Sequence, residues 1–348
     1  MFEALKSTKR LLIETELKPV QGDRFQPTGF ADLGAAVYER PDGTRMLLVE
    51  SAQSVANRLE FACLDKGGPR LSPELEGLPY VLVKLTGGVE TETSSLVEAH
   101  RINSPFIISD SGFKKEFTLA AGYAAGKPID WRKVGAALFK YDPNSLLHGA
   151  FMANLGDGRI KVPRMITGFI EAENVREAAS GGVKNNPLDP SGKIRAVELM
   201  EQDVYGNVPY ARMEYTAAKI QAYFNVDLAL LAGYDLGPEA EELLTALGLF
   251  KIRRFLNGGL RLRTACDLLP VGEPVVRSEA GFVFPKEPDL LKAVQRGIKA
   301  CTGKGLFAKP PVTELKTKVE LHEDKKKTGG GKKATRQEAD SSDEESAG

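Results

Sequence analysis

The stretch RLLIETELKPVQGDRFQPTGF, residues 10–30, decides the fold that we expect for this chain. Arg10–Leu17 is a strand-like apolar run, which Pro19 and Gly22 then break. From Val20 to Asp42 the chain is rich in glycine, proline and polar residues, which is typical of a loop. The stretch therefore predicts a first core strand followed by a long polar loop.

Outward from this strand, the spacing of apolar residues predicts further strands and helices. Ser51 can cap a helix that extends to about Leu64, with Val55, Leu59 and Ala62 at helical spacing. The other predicted strands are Met46–Val49, Tyr80–Leu85, Arg164–Val175, Ile194–Glu201, Tyr210–Tyr215, Lys219–Leu231 and Leu260–Cys266. One further helix is predicted to begin at Ser94 or Ser95, and others span about Lys114–Ala125, Trp131–Phe139, Pro238–Gly258 and Pro288–Cys301.

The core elements follow the order β-α-β-β-α-β, which is the ferredoxin-like or RRM-like pattern of the α+β class. The strands are the first strand, then those near residues 164–175, 219–231 and 260–266, with helices after the first and the third. The remaining segments are insertions into this core. Sheets of this type often present one face to single-stranded RNA.

Two segments depart from the pattern of a packed core. Ser180–Lys193 is rich in glycine, proline and asparagine, which predicts a mobile loop or hairpin tip. From Thr313 the chain becomes low in complexity, with a basic run followed by an acidic one, which predicts disorder. We therefore expect one folded region, residues 1–312, and a disordered tail, residues 313–348.

The overall composition sets limits on function. The 348 residues carry 47 basic and 47 acidic side chains, so binding a polyanion would require the positive charge to be concentrated on one face. Cys63, Cys266 and Cys301 lie far apart, which predicts free thiols rather than a zinc site or disulfides. The first residues lack the pattern of a signal peptide and no apolar run is long enough to span a membrane, so a soluble cytoplasmic protein is expected.

Three polar segments stand out, at residues 22–30, 50–60 and 98–106. Their guanidinium and amide groups are donors that suit phosphate, sugar and base edges, so they predict a surface that holds a polyanion. Near the last strand, Arg261 and Arg263 alternate and form a possible phosphate-binding stripe.

Each of these features also has a structural interpretation. The first segment could be an ordinary surface loop, and Arg58 could pair with Glu50 or Glu60. His100 and Arg101 could be core-edge residues. The stripe could be an ion-pair network with Glu241, Glu242 or Asp267.

The sequence gives little sign of a catalytic or metal centre. His100, His148 and His322 are the only histidines, and none has a neighbouring cysteine or a second histidine at ligand spacing. Neither a nucleophile elbow nor a phosphate-binding P-loop motif is present. We therefore predict no catalytic residue, no metal and no cofactor.

Four segments together resemble a known family. RLLIETELKPVQGDRFQPTGF, LLVESAQSVANRLE, SLVEAHRINSPFI and VPRMITGFIEAENV resemble the backbone subunit of type I-G (formerly I-U) CRISPR Cascade complexes, the Cas-seven group of the RAMP superfamily. The resemblance covers about residues 10–309. It implies a modified RRM-like palm with inserted finger and thumb regions, and the thumb candidate is about residues 176–212.

The resemblance also implies a function and partners. Copies of such a subunit stack along the CRISPR RNA, and the guide then pairs with target DNA. Other Cascade subunits and a recruited helicase-nuclease are further expected partners, and no membrane is expected. The predicted RNA-binding residues are Arg24, Gln26, Gln53, Asn57, Arg58, His100, Arg101, Asn103, Lys184, Arg261 and Arg263.

Two alternatives remain open from the sequence. Related type III backbone subunits cut target RNA with an acidic residue in the loop after the first strand, where Asp23 and Asp32 lie here. The chain could therefore be a metal-dependent endoribonuclease, although the resemblance is to the non-catalytic type I group. A standalone adaptor that binds no RNA is the other alternative.

Overall fold

The computed structural model describes residues 2–30, 33–66, 68–193, 206–277 and 281–320. Its strands are β1 Arg10–Pro19, β2 Gly29–Phe30, β3 Gly34–Ala35, β4 Val37–Glu39, β5 Arg45–Glu50, β6 Tyr80–Gly87, β7 Thr91–Ser94, β8 Ala150–Phe151, β9 Lys161–Val162, β10 Ile166–Glu173, β11 Arg176–Lys184, β12 Val208–Thr216, β13 Lys219–Asp227, β14 Leu260–Arg263, β15 Cys266–Pro270, β16 Val275–Arg277 and β17 Val312–Val319. Its helices are α1 Ala52–Phe61, α2 Pro105–Ile108, α3 Ser111–Ala120, α4 Trp131–Tyr141, α5 Pro143–His148, α6 Leu228–Gly233, α7 Pro238–Asn257 and α8 Glu287–Gly303. Together these elements place the chain in the α+β class, as predicted.

The largest sheet is built around β1. The strand order is β14-β15-β1-β13-β10-β5-β4, with β16 also paired to β1, and all of these pairs are antiparallel. Along β1, every second side chain is buried, from Leu11 through Ile13 and Thr15 to Leu17, while the side chains between them are exposed or partly exposed. This alternation follows from the period of a strand and shows that one face of the sheet carries the core.

Helices cover the buried face of this sheet. α1 packs against β10 and α7, and α8 packs along α7. Most residues of α7 are buried, because helices surround it on several sides. α1 therefore lies directly on the sheet, and its amino-terminal end emerges at the carboxyl end of β5.

The opposite face of the sheet is open and bears both rings and carboxylates. Phe169 and Tyr223 are cross-strand neighbours whose ring centroids lie 5.1 Å apart, and Phe169 is partly exposed. The carboxylates of Glu14 on β1 and Glu171 on β10 accept hydrogen bonds from Arg277 and Tyr38, respectively. This face is thus polar, and its carboxylates have hydrogen-bond donors beside one pair of aromatic rings.

The β11–β12 hairpin projects from the strands that flank it and forms a sheet of its own. Its base is joined to the polar loop after β1, because Phe25 and Tyr215 exchange two backbone hydrogen bonds of 2.9 Å each. The prediction of a loop from residue 180 is corrected, since Ser180–Lys184 belongs to β11 and pairs with β12. The predicted strand at residues 194–201 lies outside the described residues.

The carboxyl-terminal boundary also differs from the prediction. Residues 313–319, expected to be disordered, belong to β17, which pairs in parallel with the whole of β6. The segment has few apolar residues, and its partner lies far away in the sequence, so local composition gave no sign of it. The polar runs beyond residue 320 lie outside the described residues.

Other predictions were wrong in detail. No helix begins at Ser94 or Ser95, because Ser94 ends β7 and a tight turn follows. The expected strand at residues 219–231 ends at Asp227, whose side chain caps α6 by accepting from the Leu230 N–H at 2.9 Å. Residues 260–266 are not one strand, because β14 ends at Arg263, a turn follows, and Cys266 begins β15, which pairs back on β14.

Two general findings complete the description. The cysteines are free and buried, as predicted. Among the described residues, no helix is long and apolar enough to cross a membrane.

Candidate nucleic-acid interface

The three polar segments meet around α1. Thr28 of the first segment donates its backbone N–H to the Val49 carbonyl at 3.0 Å, immediately before α1 begins. The second segment is α1 itself, where Ser51 caps the helix by accepting from the Ser54 N–H at 3.3 Å. The third segment reaches the other end of α1 through the ion pair between Arg101 and Glu60. The fold therefore brings together segments that the sequence could only group by composition.

At the start of α1, Arg58 and Arg263 are both bound to Glu50. The Glu50 carboxylate is fully buried, and it accepts from Arg58 Nε at 2.7 Å and also from Arg263. Arg263 donates to the backbone carbonyls of Gln26 and Val49 as well, at 3.0 and 3.1 Å. Burial lowers the pKa of both guanidinium groups, and the shared carboxylate offsets one of their two positive charges. These two arginines therefore hold the loop, β5 and α1 together.

Arg101 and Asn103 also have internal partners. Arg101 donates to both oxygens of Glu60 at 2.7 and 2.8 Å and to the Gly149 carbonyl at 3.1 Å, and its side chain is only 11% exposed. Its φ of 50° shows that the turn is held in a left-handed conformation. Asn103 is buried and accepts from the Asn154 N–H at 3.3 Å. A phosphate that contacted either residue would have to share it with these partners, and direct contacts of both residues with RNA stay predictions.

Three of the predicted residues remain on the surface near α1, namely Gln53, Asn57 and His100. Gln53 and Asn57 are exposed and share one side of the helix, where Gln53 Nε2 donates to Asn57 Oδ1 at 3.0 Å. Arg164, just before β10, donates to the Gln53 side chain and extends this polar surface. His100 is exposed on the neighbouring turn.

A cleft of about 510 Å³ opens beside these residues, and we call it the basic cleft. The ionisable side chains that line it are His100, Arg101, His148, Lys161 and Arg164, and no described carboxylate is among its lining residues. Burial lowers the pKa of Arg164, and the nearby Arg101 acts in the same direction while Glu60 opposes it. An arrangement of this kind favours an anion.

A second cleft, of about 570 Å³, lies between the loop after β1 and the base of the β11–β12 hairpin. We call it the balanced cleft, because its three arginines face three acidic residues. Arg24 and Arg212 lie 3.5 and 2.6 Å from the buried Glu214 carboxylate, and Arg261 lies 3.7 Å from Asp267. Asp23 is the third acidic residue. The net attraction for an anion is therefore weaker here than in the basic cleft.

The remaining predicted residues lie near the balanced cleft or on the hairpin. Arg261 is highly accessible, with 77% of its side chain exposed. Gln26 is half-buried, and its Oε1 has no hydrogen-bond partner among the described residues. Lys184 is exposed at the end of β11. Contacts of these residues with RNA stay predictions.

Beneath the basic cleft lies a buried polar network that the sequence did not reveal. Asn144 Nδ2 donates to Glu60 at 2.9 Å, Lys251 donates to Asn144 Oδ1, and the Lys251 ammonium lies 3.0 Å from His148 Nε2. Lysine is almost never fully buried without partners. Lys251 lies among the apolar residues of α7, and this position in the sequence could have indicated that its side chain is buried.

Lys161 and Arg164 of the basic cleft were also missed. They belong to a short basic run, RIKVPR at residues 159–164, which lies far along the chain from the three polar segments and was not singled out. Among the described residues, no group of three or more His, Cys, Asp or Glu side chains is placed to hold a metal ion. Of the two acidic residues considered for metal-dependent cleavage, Asp23 is exposed and Asp32 lies outside the described residues.

The sequence comparison relates this surface to a known family of proteins. Residues 11–177 match a family of CRISPR-associated proteins, in agreement with the resemblance to a CRISPR backbone subunit that was drawn from the sequence. The matched family is the one described as CRISPR-associated protein GSU0053 (Cas_GSU0053). The match extends from β1 to the start of β11 and includes all three polar segments. No curated protein matches the chain.

The chain also shows similarity to solved structures, and three of them follow. A chain of a "CRISPR RNA-guided surveillance complex, pre-nicking" is 13% identical, with a TM-score of 0.39, and the match covers 75% of this chain and 74% of that one. A chain of a "CRISPR RNA-guided surveillance complex" is 12% identical, with a TM-score of 0.36 and coverages of 85% and 83%. Csc2 of Thermofilum pendens is 10% identical, with a TM-score of 0.30 and coverages of 87% and 78%.

Proposed function

We propose that this protein is a non-catalytic, CRISPR RNA-binding backbone subunit of a type I CRISPR surveillance complex, of the I-G subtype. The observation that carries the proposal is the basic cleft beside α1 in a chain of this family. A neutral chain that binds RNA needs its positive charge in one place, and the cleft provides it without facing carboxylates. The exposed amides of Gln53 and Asn57 lie beside the cleft and suit sugar and base edges.

The sheet around β1 supports an RRM-like palm. Its last strand β15 lies beside β1, β13 lies on the other side of β1, and β10 lies beyond β13. This is the neighbour order that the β-α-β-β-α-β pattern requires. Carboxylates such as Glu14 and Glu171 on the open face would repel phosphates, so we place the RNA at the edge near α1 rather than across this face.

The β11–β12 hairpin is the proposed thumb, since it projects from the palm at the expected place in the chain. We propose that it contacts a neighbouring copy in a filament along the guide, which pairs with target DNA. Other Cascade subunits and a recruited helicase-nuclease are the further proposed partners, in the cytoplasm. Exposed apolar side chains along the hairpin, including Val183 and Tyr210, suit a protein contact.

Replacing Arg164 with alanine tests the basic cleft as the RNA site. We expect affinity for a labelled single-stranded oligoribonucleotide to fall about tenfold, because one charge-assisted phosphate contact is lost. The slope of log affinity against log salt should also decrease by about 0.7. Fluorescence anisotropy over a series of salt concentrations measures both quantities.

The matched control is Arg132→Ala on α4. Arg132 is also a surface arginine in an ion pair, 3.3 Å from Asp235, but it does not line the basic cleft. This variant should bind like the unmodified protein. Equal losses in the two variants, or none in Arg164→Ala, would contradict the assignment of the cleft.

The endoribonuclease alternative is tested at Asp23, which is accessible in the balanced cleft. We expect the purified complex to leave a complementary labelled RNA intact in the presence of Mg²⁺ or Mn²⁺, because we propose a backbone role without catalysis. Gel analysis of wild-type and Asp23→Ala complexes measures this. Cleavage that the substitution abolishes would replace the scaffold proposal with the nuclease.

A further inference from the structure

One wall of the basic cleft is the pair of short strands β8 and β9, which carries the exposed ring of Phe151. This side chain is 50% exposed and lines the cleft. The apolar side chains next to it on the two strands and just beyond them are buried, namely Ala150, Met152, Ile160 and Val162. Successive side chains of a strand point to opposite faces, so the inner face of this pair is anchored in the core while Phe151 faces the cleft.

The strand pair holds the ring in a fixed position beside a cation. Phe151 lies directly opposite Lys161 in the pairing, and just beyond it the Met152 N–H donates to the Ile160 carbonyl at 2.9 Å. The Lys161 ammonium lies over the ring, 5.1 Å from its centroid. Half of the Phe151 side chain stays exposed even with this cation in place. The ring is therefore both oriented and accessible.

Gly149 brings a second cation to the same wall. Its φ of 81° lies in the left-handed region, and a Cβ there would be 2.9 Å from the Val162 carbonyl oxygen and 3.1 Å from Cγ of Arg164. Only a glycine therefore lets the stem of Arg164 lie against the backbone immediately before β8. The wall thus carries one exposed ring and two cations.

An exposed ring among cations is the chemistry of a site for single-stranded nucleic acid. A single exposed apolar side chain needs no explanation on its own, but here the ionisable side chains that line the same cleft are all basic. Proteins bind single strands by combining a positively charged groove for the backbone with aromatic rings on which bases stack. An apolar side chain of a protein partner would cover the ring only by also burying the neighbouring cations, which costs desolvation energy. A nucleotide avoids this cost, since it supplies an aromatic face and a negative charge together.

We propose that Phe151 is a stacking platform for one base of the RNA bound in the basic cleft, while Lys161 and Arg164 hold the adjoining phosphates. Every base has an aromatic face, so the platform accepts any base and suits a protein that binds guides of different sequence. This inference rests on the proposed function, and it adds a contact to a base, whereas the positive charge of the cleft explains only contacts to phosphates.

Replacing Phe151 with leucine tests the platform, because leucine keeps much of the apolar volume and removes the aromatic face. We expect affinity for a labelled oligouridylate to fall about tenfold, within the range that loss of one base–aromatic stack causes. Affinity for a ribose–phosphate chain of the same length without bases should stay within about twofold of that of the unmodified protein, because no base is present to stack. Fluorescence anisotropy measures both affinities.

The salt dependence and a matched variant separate stacking from charge. The slope of log affinity against log salt should be unchanged in Phe151→Leu, whereas Arg164→Ala is expected to lower it. Phe61→Leu is the control, since Phe61 is 62% exposed but does not line the basic cleft. This control should bind both chains like the unmodified protein.

A second variant reports the stack directly and does not depend on a loss of binding. Trp131 is the only tryptophan of the chain, so Phe151→Trp combined with Trp131→Phe places the single indole at the site. We expect this double variant to keep the affinity of the unmodified protein for oligouridylate, and its tryptophan fluorescence to be quenched as the oligonucleotide binds. The chain without bases should bind without this quenching.

The proposal would be overturned by equal losses of Phe151→Leu for both chains, by no loss for either, or by no quenching at saturation. Loss of self-association with unchanged RNA affinity, measured by sedimentation, would assign the ring to a protein contact and overturn it as well. If the unmodified protein binds no oligoribonucleotide, the proposed function fails and this inference fails with it. If Arg164→Ala weakens binding while Phe151→Leu does not, only the inference fails.

Discussion

Replacement of Glu50 with alanine is expected to lower the free energy of unfolding by about 3 kcal/mol, the lower end of what breaking a buried ion pair costs. Its carboxylate is fully buried between Arg58 and Arg263, and removing it leaves two guanidinium groups facing each other without a counter-charge. The lower end applies because 28% and 24% of these arginine side chains remain exposed to water. Urea unfolding monitored by circular dichroism measures the change.

The control for this prediction is Glu3→Ala. Glu3 also forms an ion pair, with Lys6 at 2.8 Å, but its side chain is 81% exposed, and surface pairs contribute little. The unfolding midpoint of this variant should match that of the unmodified protein. A Glu50→Ala variant as stable as the control would show that the two arginines do not depend on the carboxylate.

Ending the chain after Pro311 is expected to destabilise the protein by about 3 kcal/mol and to promote aggregation. This truncation removes β17, whose Val312, Leu315 and Val319 pack against the core, each contributing about 1 kcal/mol. It also removes the hydrogen bond from Thr317 to the Phe106 carbonyl and leaves the edge of β6 unpaired. An exposed apolar strand edge is a template for association between chains.

The matched control ends after Glu320 and removes only residues 321–348. This shorter form should keep the melting temperature and the solubility of the full chain, because β17 is intact. Thermal unfolding and light scattering compare the three lengths. The role assigned to β17 would be refuted if both truncated forms melted together with the full chain.

The sequence predicted those parts of the fold that local patterns encode. β1, α1 and α7 carry clear periodicity and end signals within one segment, and each was predicted within a few residues. β17 was missed because a strand of mixed polar residues becomes a strand only through pairing with β6. Whether residues 312–319 form a strand depends on pairing with β6 more than on their own side chains.

The sequence indicated which types of residue form the candidate site, but it indicated few of the contacts that these residues make. The exposed amides of Gln53 and Asn57 lie where a helix model of residues 51–64 places them. The sequence could not show that Arg58 and Arg263 share Glu50 as a partner, because Glu50 contacts both only in the folded chain, and their contacts with RNA stay predictions. Lys161 lies far along the chain from the polar segments, so only the fold brings it to the basic cleft.

The parallel pairing of β17 with β6 has a consequence for synthesis. β6 is made well before β17, so the edge of β6 stays uncovered while the chain between them is synthesised. Pairing between such distant segments forms late and leaves apolar edges open in the meantime. A fragment released by a ribosome that stalls before residue 312 is therefore expected to aggregate.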